Sequence, residues 1–378
     1  MEAILKIFES ILEDPGRYLA HWKEQNDNRI IGCLPMHFPE EIIHAAGMLP
    51  VIIWESPEPF SAANTHIPTF FCGVVRSVID MTLKDKLGFL DGLVFPDTCL
   101  QVRGIKNIIH WNFKCDFQDL LYLPPNLRRP SDAEFLRKEL NRFKGSLESF
   151  VGHEITDEAL WQSIGVYNRS RALLRELYDL RRENPGLLKA KEVLAIVFSS
   201  MLMPKEEHNR LLSEFLSGIR PKTPMNGSGV KLILAGSLCE APKVDLLDML
   251  EELGAVVVDD DIYMGSRYFI QDVGLDGPPL EALARHYEGM MARCPSRIDP
   301  QNHWGPYLVE MVRKSKAQGV INWMVKYCEP HNLWYPDVKW TLKEAGIPEF
   351  LLETEHEIMS LGQIKTRLAA FVEMIGGV

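Results

Sequence analysis

The chain has 378 residues, a length that favours two compact domains over one. Its hydrophobic fraction of 46% and its charged fraction of 25% are ordinary for a globular protein that buries a sizeable core. The net charge of −11, from 52 acids and 41 bases, argues against nucleic acid as the main partner, because phosphate binding needs a basic surface.

The N-terminal segment predicts an amphipathic helix, since Ile4, Ile7, Phe8, Ile11 and Leu12 fall on one helical face. The sequence contains no run of about 18 apolar residues, so it predicts no membrane span. Its N-terminus has no basic region followed by an apolar stretch, so it predicts no signal peptide. We therefore expect a cytoplasmic protein with no membrane partner.

Beyond this segment, apolar strands alternate with helices. The predicted strands span 29–34, 50–54, 92–95, 231–235, 255–258, 320–325 and 350–352. Helices are expected to begin at Pro39, Cys72, Pro242 and Pro336 and after 303–305. Glycines at 47, 254, 319 and 346 are expected to end all of these helices except the one that begins at Cys72. This alternation predicts parallel sheets covered by helices on both faces.

The predicted fold class is α/β, with two flavodoxin-like or Rossmann-like domains and a helical connecting region. The expected organisation is an N-terminal helix over 1–27, a first α/β domain over 28–150, a helical connecting region and linker over 151–227, and a second α/β domain over 228–378. In the connecting region Thr156 is a plausible N-cap. The Pro- and Gly-rich stretch 221–229 is the clearest linker.

Seven cysteines occur, at 33, 72, 99, 115, 239, 294 and 328. Their odd number and wide spacing argue against a disulfide framework. Cys99, Cys239 and Cys328 follow predicted strands, where ligands bind in open parallel sheets. Cys72 begins a predicted helix, a position that stabilises the thiolate. Without a Cys-x-x-Cys pair, inert buried thiols and metal ligands both remain open interpretations.

Other motifs are absent or ambiguous. The sequence has no P-loop, no Gly-x-Gly-x-x-Gly between a strand and a helix, and no Gly-x-Ser-x-Gly elbow. The run 259–261 of three aspartates could bind a divalent metal, although a solvated loop or helix start is the commoner case. His37, in a loop after a strand, is a candidate proton donor, and so are Glu240 and His331, each close after a strand-end cysteine.

The sequence resembles the family of benzoyl-CoA reductases and 2-hydroxyacyl-CoA dehydratases. The resemblance rests on 35–50, Cys72 with 76–77, 91–96 with Cys99 and Arg103, 236–242, 258–261 and 327–330, in that order along the chain. Overall length and the helical stretch around 155–160 point within this family to the smaller cluster-binding subunit of ATP-dependent benzoyl-CoA reductase.

The resemblance implies that Cys72, Cys99 and Cys328 hold one [4Fe–4S] cluster. Three thiolates leave one of four irons with another ligand or an open position. Cys239 matches a motif but not a ligand position, and the remaining thiols at 33, 115 and 294 match no motif and are expected to be inert. The family usually has Asp after the second cluster cysteine, where this chain has Leu100. The absence of that carboxylate would favour the reduced state of the cluster. Alternatively, a partner subunit would carry the acidic function.

The resemblance also implies partners and a reaction. ATP and Mg would bind two ATP-hydrolysing activator subunits rather than this chain, and ferredoxin would supply electrons. With a paralogous larger catalytic subunit, the chain would help to reduce benzoyl-CoA, or a related aromatic acyl-CoA, to a dienoyl-CoA in anaerobic aromatic degradation. No residue is assigned to CoA itself.

Three other interpretations stay open. One is a lyase with the same cluster and fold, a 2-hydroxyacyl-CoA dehydratase subunit. Another is a non-catalytic scaffold or electron-relay subunit whose partner alone binds substrate. The last is an α/β protein whose cysteines are merely buried.

Overall fold

The computed structural model describes residues 1–126, 129–220, 229–236, 243–291, 294–297, 299, 303–356 and 361–377. The elements up to residue 151 are α1 (Glu2–Glu13), α2 (Pro15–Gln25), β1 (Ile30–Cys33), α3 (Glu40–Ala45), β2 (Leu49–Ile52), α4 (Gly73–Leu83), β3 (Gly92–Pro96), α5 (Leu100–Asn112), β4 (Phe117–Leu121) and α6 (Pro130–Val151). The next three are α7 (Asp157–Glu183), α8 (Ala190–Ser200) and α9 (Lys205–Ile219). The last group is β5 (Val230–Gly236), α10 (Val244–Glu252), β6 (Ala255–Asp261), α11 (Pro279–Met291), α12 (Trp304–Ser315), β7 (Gly319–Val325), α13 (Glu329–Glu344), β8 (Glu349–Thr354) and α14 (Leu361–Gly376).

The described strands form two parallel four-stranded sheets with the same topology, β2-β1-β3-β4 and β6-β5-β7-β8. The predicted α/β class with two parallel sheets is confirmed. The central strands β1, β3 and β7 are buried along their whole length, as expected when helices cover both faces of a sheet. Because all strands in a sheet run the same way, the loops after β3 and β7 lie at carboxyl ends, where open sheets bind ligands.

Helix α7 makes ion pairs with residues of both halves. The Arg171 guanidinium pairs with the buried Glu41 of α3. Further along the helix, Arg181 lies 3.0 Å from the Asp260 carboxylate at the end of β6. Buried charges that are paired in this way resist separation, because breaking one pair leaves an uncompensated charge. Helix α7 therefore connects α3 in the first half of the chain to the end of β6 in the second through buried ion pairs.

Two local expectations need correction. Residues 1–27 form two helices rather than one, because the Asp14 side chain caps α2 by accepting a hydrogen bond from Arg17 N–H at 2.9 Å, with Pro15 at the first position. Pro336 does not open a helix. It lies inside α13, which begins directly after Cys328 with Pro330 in its first turn.

The sequence analysis also missed β4, whose residues include Gln118 and Asp119 and lack a continuous apolar run. The predicted start at Pro242 lies outside the described residues, and the helix that follows is described from Val244. None of the described helices combines the length and apolar character that crossing a membrane requires.

Candidate functional site

Three cysteines occupy the same kind of position in the fold. Cys72 is the N-cap residue of α4, Cys99 of α5 and Cys328 of α13. The last two also follow the carboxyl ends of β3 and β7, one in each sheet. Unpaired N–H groups and the helix dipole make each N-terminus favourable for negative charge. The fold thus directs three positive helix ends towards three thiols.

These cysteines line one cavity of about 60 Å³, which we call the cysteine cavity. The rest of its wall is mainly apolar and includes Leu34, Met36, Val74, Val75, Val102 and Val325. Residues from both halves of the chain therefore form this wall. An apolar wall excludes water and lowers the local dielectric constant, which strengthens electrostatic interactions within the cavity.

The buried side chain of Gln101 joins the three cysteine-bearing segments. It projects from the first turn of α5, next to Cys99. Its Oε1 accepts a hydrogen bond from Cys72 N–H at 2.8 Å, and its Nε2 donates to the carbonyl oxygen of Tyr327 at 3.1 Å. Tyr327 itself adopts a left-handed conformation, with φ of +70°, immediately before Cys328. No sequence pattern singled out Gln101.

Burial raises the pKa of the Cys99 thiol, and hydrogen bonds from the backbone N–H groups of Val102 and Gln101 oppose that rise. A thiol in this position gains most from a positive partner that stabilises its thiolate. Among the described residues, no three His, Cys, Asp or Glu side chains converge on a point that could hold a single metal ion.

Comparison with known proteins gives the family. The family model described as "2-hydroxyglutaryl-CoA dehydratase, D-component" matches residues 35–375. The chain is 30% identical to the (R)-phenyllactyl-CoA dehydratase beta subunit of Clostridium sporogenes, over 97% of each chain. It is also 30% identical to the beta subunit of the lactoyl-CoA dehydratase of Anaerotignum propionicum, over 99% of each chain. Identity to a subunit of the benzoyl-CoA reductase of Thauera aromatica is 28%, over 97% of this chain and 96% of that one.

This chain belongs to the 2-hydroxyglutaryl-CoA dehydratase D-component family. The family resemblance described from the sequence is thereby confirmed. Named members divide between dehydratase and reductase subunits, and all four relatives at 28% identity or more are named as subunits of CoA-thioester enzymes.

The donor set fits the [4Fe–4S] cluster that the family resemblance implies. Iron–sulfur clusters are held by cysteine thiolates, each on a different iron, so the sulfurs do not need to meet at one point as the ligands of a single ion must. Three thiols on helix N-termini around an apolar cavity would supply the ligands, and the helix ends would compensate negative charge. Cys72, Cys99 and Cys328 would hold the group.

Leu100, which stands where the family resemblance implies an aspartate, is the first residue of α5 and is 73% exposed. A carboxylate at this position would add negative charge beside the Cys99 sulfur. The leucine removes that charge and instead presents an apolar side chain at the surface.

His331 lies in the first turn of α13, with its Nδ1 3.0 Å from the Cys328 Sγ. The ring is buried, and it packs edge-on against Trp304 with 5.2 Å between ring centroids. Burial, followed by the charge of Arg267, holds the pKa of His331 well below its ordinary value. A neutral imidazole with its proton on Nδ1 donates a hydrogen bond to the sulfur.

His37 lies outside the cysteine cavity and lines a neighbouring one of about 210 Å³, which we call the histidine cavity. Met36 lines both cavities, so they adjoin. Met36 and His37 have positive φ angles of 82° and 58°, a conformation that costs energy in non-glycine residues and tends to occur at functional sites. Neither ring nitrogen of this buried histidine has a hydrogen-bond partner among the described residues.

Burial, with a smaller contribution from nearby charges, sets the protonation state of His37. Burial and then the nearby Arg297 and Arg267 hold its pKa well below the ordinary value, so the ring is neutral at pH 7. A neutral ring carries one N–H donor and one acceptor nitrogen. The structure thus places a neutral imidazole on the wall of the histidine cavity, with no hydrogen-bond partner for either nitrogen among the described residues.

The remaining candidates lie elsewhere. Glu240 and Cys239 are outside the described residues. The aspartates 259–261 end strand β6 and are buried, so the expectation of a solvated loop or helix start was wrong. Each is paired: Asp259 with Arg182 at 2.8 Å, Asp260 with Arg181, and Asp261 with Arg267 at 2.6 Å. These carboxylates therefore form ion pairs with arginine side chains.

Proposed function

We propose that this chain is a cluster-bearing, electron-transferring subunit of an enzyme that acts on acyl-CoA thioesters, with reduction of benzoyl-CoA to a dienoyl-CoA as its reaction. The observation that supports this proposal is the placement of Cys72, Cys99 and Cys328 on three helix N-termini around one apolar cavity. A [4Fe–4S] cluster supplies single electrons at low potential when it is bound.

The chain's own residues would hold and tune that site. The three cysteines would act as ligands, and Gln101 would keep their loops in register through its two hydrogen bonds. His331 would donate its Nδ1 proton towards the Cys328 sulfur and stabilise added negative charge. The apolar wall would keep water from the site.

Ring reduction consumes two electrons and two protons, so it needs a proton donor as well as an electron path. His37 is the preferred donor in this chain, because neither nitrogen of its buried ring has a hydrogen-bond partner among the described residues, so the ring can take up a proton on one nitrogen and pass it on. His331 is the second donor candidate, although its Nδ1 is engaged with Cys328. Glu240 remains a sequence-based candidate only.

A second candidate reaction is the dehydration of a 2-hydroxyacyl-CoA. It is favoured by the two relatives with 30% identity, which are named as dehydratase beta subunits. In that reaction the electron is returned after water leaves, whereas ring reduction consumes it. Both reactions would use ATP-hydrolysing activator subunits and a paralogous catalytic subunit, with ferredoxin as the donor in the reductase case. The compartment we propose is the cytoplasm.

The deciding experiment uses the intact complex, purified without oxygen and supplied with reductant and ATP. Benzoyl-CoA and a 2-hydroxyacyl-CoA are offered separately, and products are identified by mass. A dienoyl-CoA supports the reductase proposal. Loss of water from the 2-hydroxyacyl-CoA without ring reduction overturns it in favour of the dehydratase. If neither product forms although the cluster is reduced, both proposed reactions fail.

A further inference from the structure

A fourth cysteine lines the cysteine cavity. Cys294 was expected to be inert because it matches no motif, but it shares the cavity wall with Cys72, Cys99 and Cys328. The other two described cysteines, Cys33 and Cys115, do not line this cavity. Cys294 is 3% exposed, so its thiol faces the protein interior rather than solvent.

The segment that carries Cys294 is fastened to the Cys99 loop. Arg297 N–H donates to the Cys294 carbonyl oxygen at 2.9 Å and closes a tight turn. The Arg297 guanidinium donates to the carbonyl oxygens of Asp97 at 2.5 Å and Thr98 at 3.4 Å, the two residues before Cys99. Backbone carbonyls held by a buried arginine keep the two cysteine segments side by side.

Two arginines and a serine lie close to Cys294. The guanidinium groups of Arg267 and Arg297 both interact electrostatically with this thiol. The Ser296 hydroxyl lies 2.9 Å from its sulfur and can donate a hydrogen bond to it. The other three cysteines of the cavity rely on helix N-termini for the same purpose. Each of the four thiols therefore has its own source of positive charge or hydrogen bonding.

We propose that Cys294 is the fourth protein ligand of the cluster, so that every iron has a cysteine ligand. This inference rests on the proposed function, and it deepens that function. On binding, the thiol would release its proton to solvent and form one iron–sulfur bond, with no change in electron count. A cluster with four thiolate ligands offers no open iron to a substrate. This subunit would then pass electrons onward, and substrate would be bound by other groups.

The test compares the anaerobically purified complex of wild type with Cys294→Ala, with Cys33→Ala as a control for loss of a buried thiol elsewhere. After mild ferricyanide oxidation, released iron is counted and the EPR signal of three-iron clusters is recorded. The iron that loses its thiolate should become labile, so Cys294→Ala should release about one more iron per protomer than wild type. Contributions from any cluster in the partner cancel in this difference.

A second variant keeps the test decisive if Cys294→Ala fails to assemble. Cys294→Ser preserves the side-chain size and offers an oxygen ligand, so it should keep the iron but change the EPR spectrum of the reduced cluster. If the variants that assemble have the same spectra and the same iron release as wild type, the inference is overturned. The three-cysteine proposal would still stand. If wild type carries no iron that depends on Cys72, Cys99 or Cys328, the proposed function fails as well.

Discussion

The side-chain oxygen of Gln101 accepts a hydrogen bond from the backbone N–H of Cys72 at 2.8 Å. The same side chain donates to the carbonyl oxygen of Tyr327, next to Cys328. One buried amide therefore couples two cysteine loops to the helix that Cys99 caps. The cysteine cavity therefore depends on a contact between the two halves of the chain.

Gln101→Leu should loosen the cysteine cavity while preserving side-chain size. It leaves the Cys72 N–H without its acceptor and removes the bond to Tyr327, a loss of about 1–3 kcal/mol for a buried group left unsatisfied. We expect a lower iron content per chain and a lower melting temperature. Gln118→Leu, in β4 and away from this cavity, is the matched control. Equal iron retention in the two variants would contradict the role given to Gln101.

His331→Phe should change the reduction potential without removing the cluster. The substitution removes the hydrogen bond to the Cys328 sulfur, and fewer hydrogen bonds to sulfur lower a cluster's potential. The measurement is a potentiometric titration followed by EPR. His208→Phe replaces another buried histidine whose Nε2 bonds to the carbonyl oxygen of Ile196, and it should leave the potential unchanged. A potential that rises in His331→Phe would refute this account.

Leu100→Asp should lower the same potential. It introduces the carboxylate that the family resemblance implies after Cys99, and added negative charge disfavours the reduced state. Leu100→Asn is the control, because it has nearly the same shape without the charge. Residue 100 is 73% exposed, so neither change should perturb the core. An aspartate variant with the potential of the asparagine variant would show that the site is too remote to matter.

His37→Gln should slow product formation by a factor of about 10²–10⁴, the usual contribution of a general acid. Iron content and the EPR spectrum should stay the same, because His37 does not line the cysteine cavity. His208→Gln tests whether loss of any buried histidine has this effect. If product forms at the wild-type rate in His37→Gln, proton delivery belongs to another residue or to the partner.

Arg171→Met should destabilise the fold by about 3–5 kcal/mol, because it removes the positive charge paired with the buried Glu41 carboxylate and leaves that carboxylate with the hydrogen bond from the Tyr287 hydroxyl. Burial alone would raise the pKa of Glu41, but the attraction of Arg171 outweighs it and holds that pKa below the ordinary 4.5. A depressed pKa stabilises the fold above the unfolded-state value, and this contribution disappears as pH falls through the folded-state value.

Urea unfolding followed by tryptophan fluorescence from pH 7 to 3 measures both effects. Wild type should lose stability below about pH 4.5, the ordinary pKa of glutamate, and Arg171→Met should lose less over that range. Arg169→Met, at an exposed position on the same helix, should behave like wild type. A variant with the full wild-type pH dependence would contradict the pairing.

Local patterns predicted much of the scaffold. Apolar runs such as Gly92–Pro96 and Gly319–Val325 are unambiguous buried strands, and the cysteines after them were expected at the carboxyl ends. Strand β4 escaped detection because Gln118 and Asp119 interrupt its apolar pattern. The helix start predicted at Pro336 was wrong because proline is common in the first turn of a helix. In α13 that first-turn proline is Pro330, and Pro336 lies within the helix.

The site was less predictable, because tertiary contacts create it. Nothing in the spacing of Cys294 relates it to Cys99 until Arg297 brings their loops together. Gln101 has no sequence signature, since its role depends on loops distant in sequence. The three aspartates at 259–261 were assigned to solvent because their arginine partners lie on other elements.

The most direct test of the central claim is an iron count on the anaerobically purified complex in Cys72→Ala, Cys99→Ala and Cys328→Ala, with Cys115→Ala as the control. Products from benzoyl-CoA with reductant and ATP are followed by mass in the same samples. The account predicts that each of the three variants loses about one cluster and the dienoyl-CoA product, while the control keeps both. Iron unchanged in all three would contradict it and would leave this chain as a cluster-free partner.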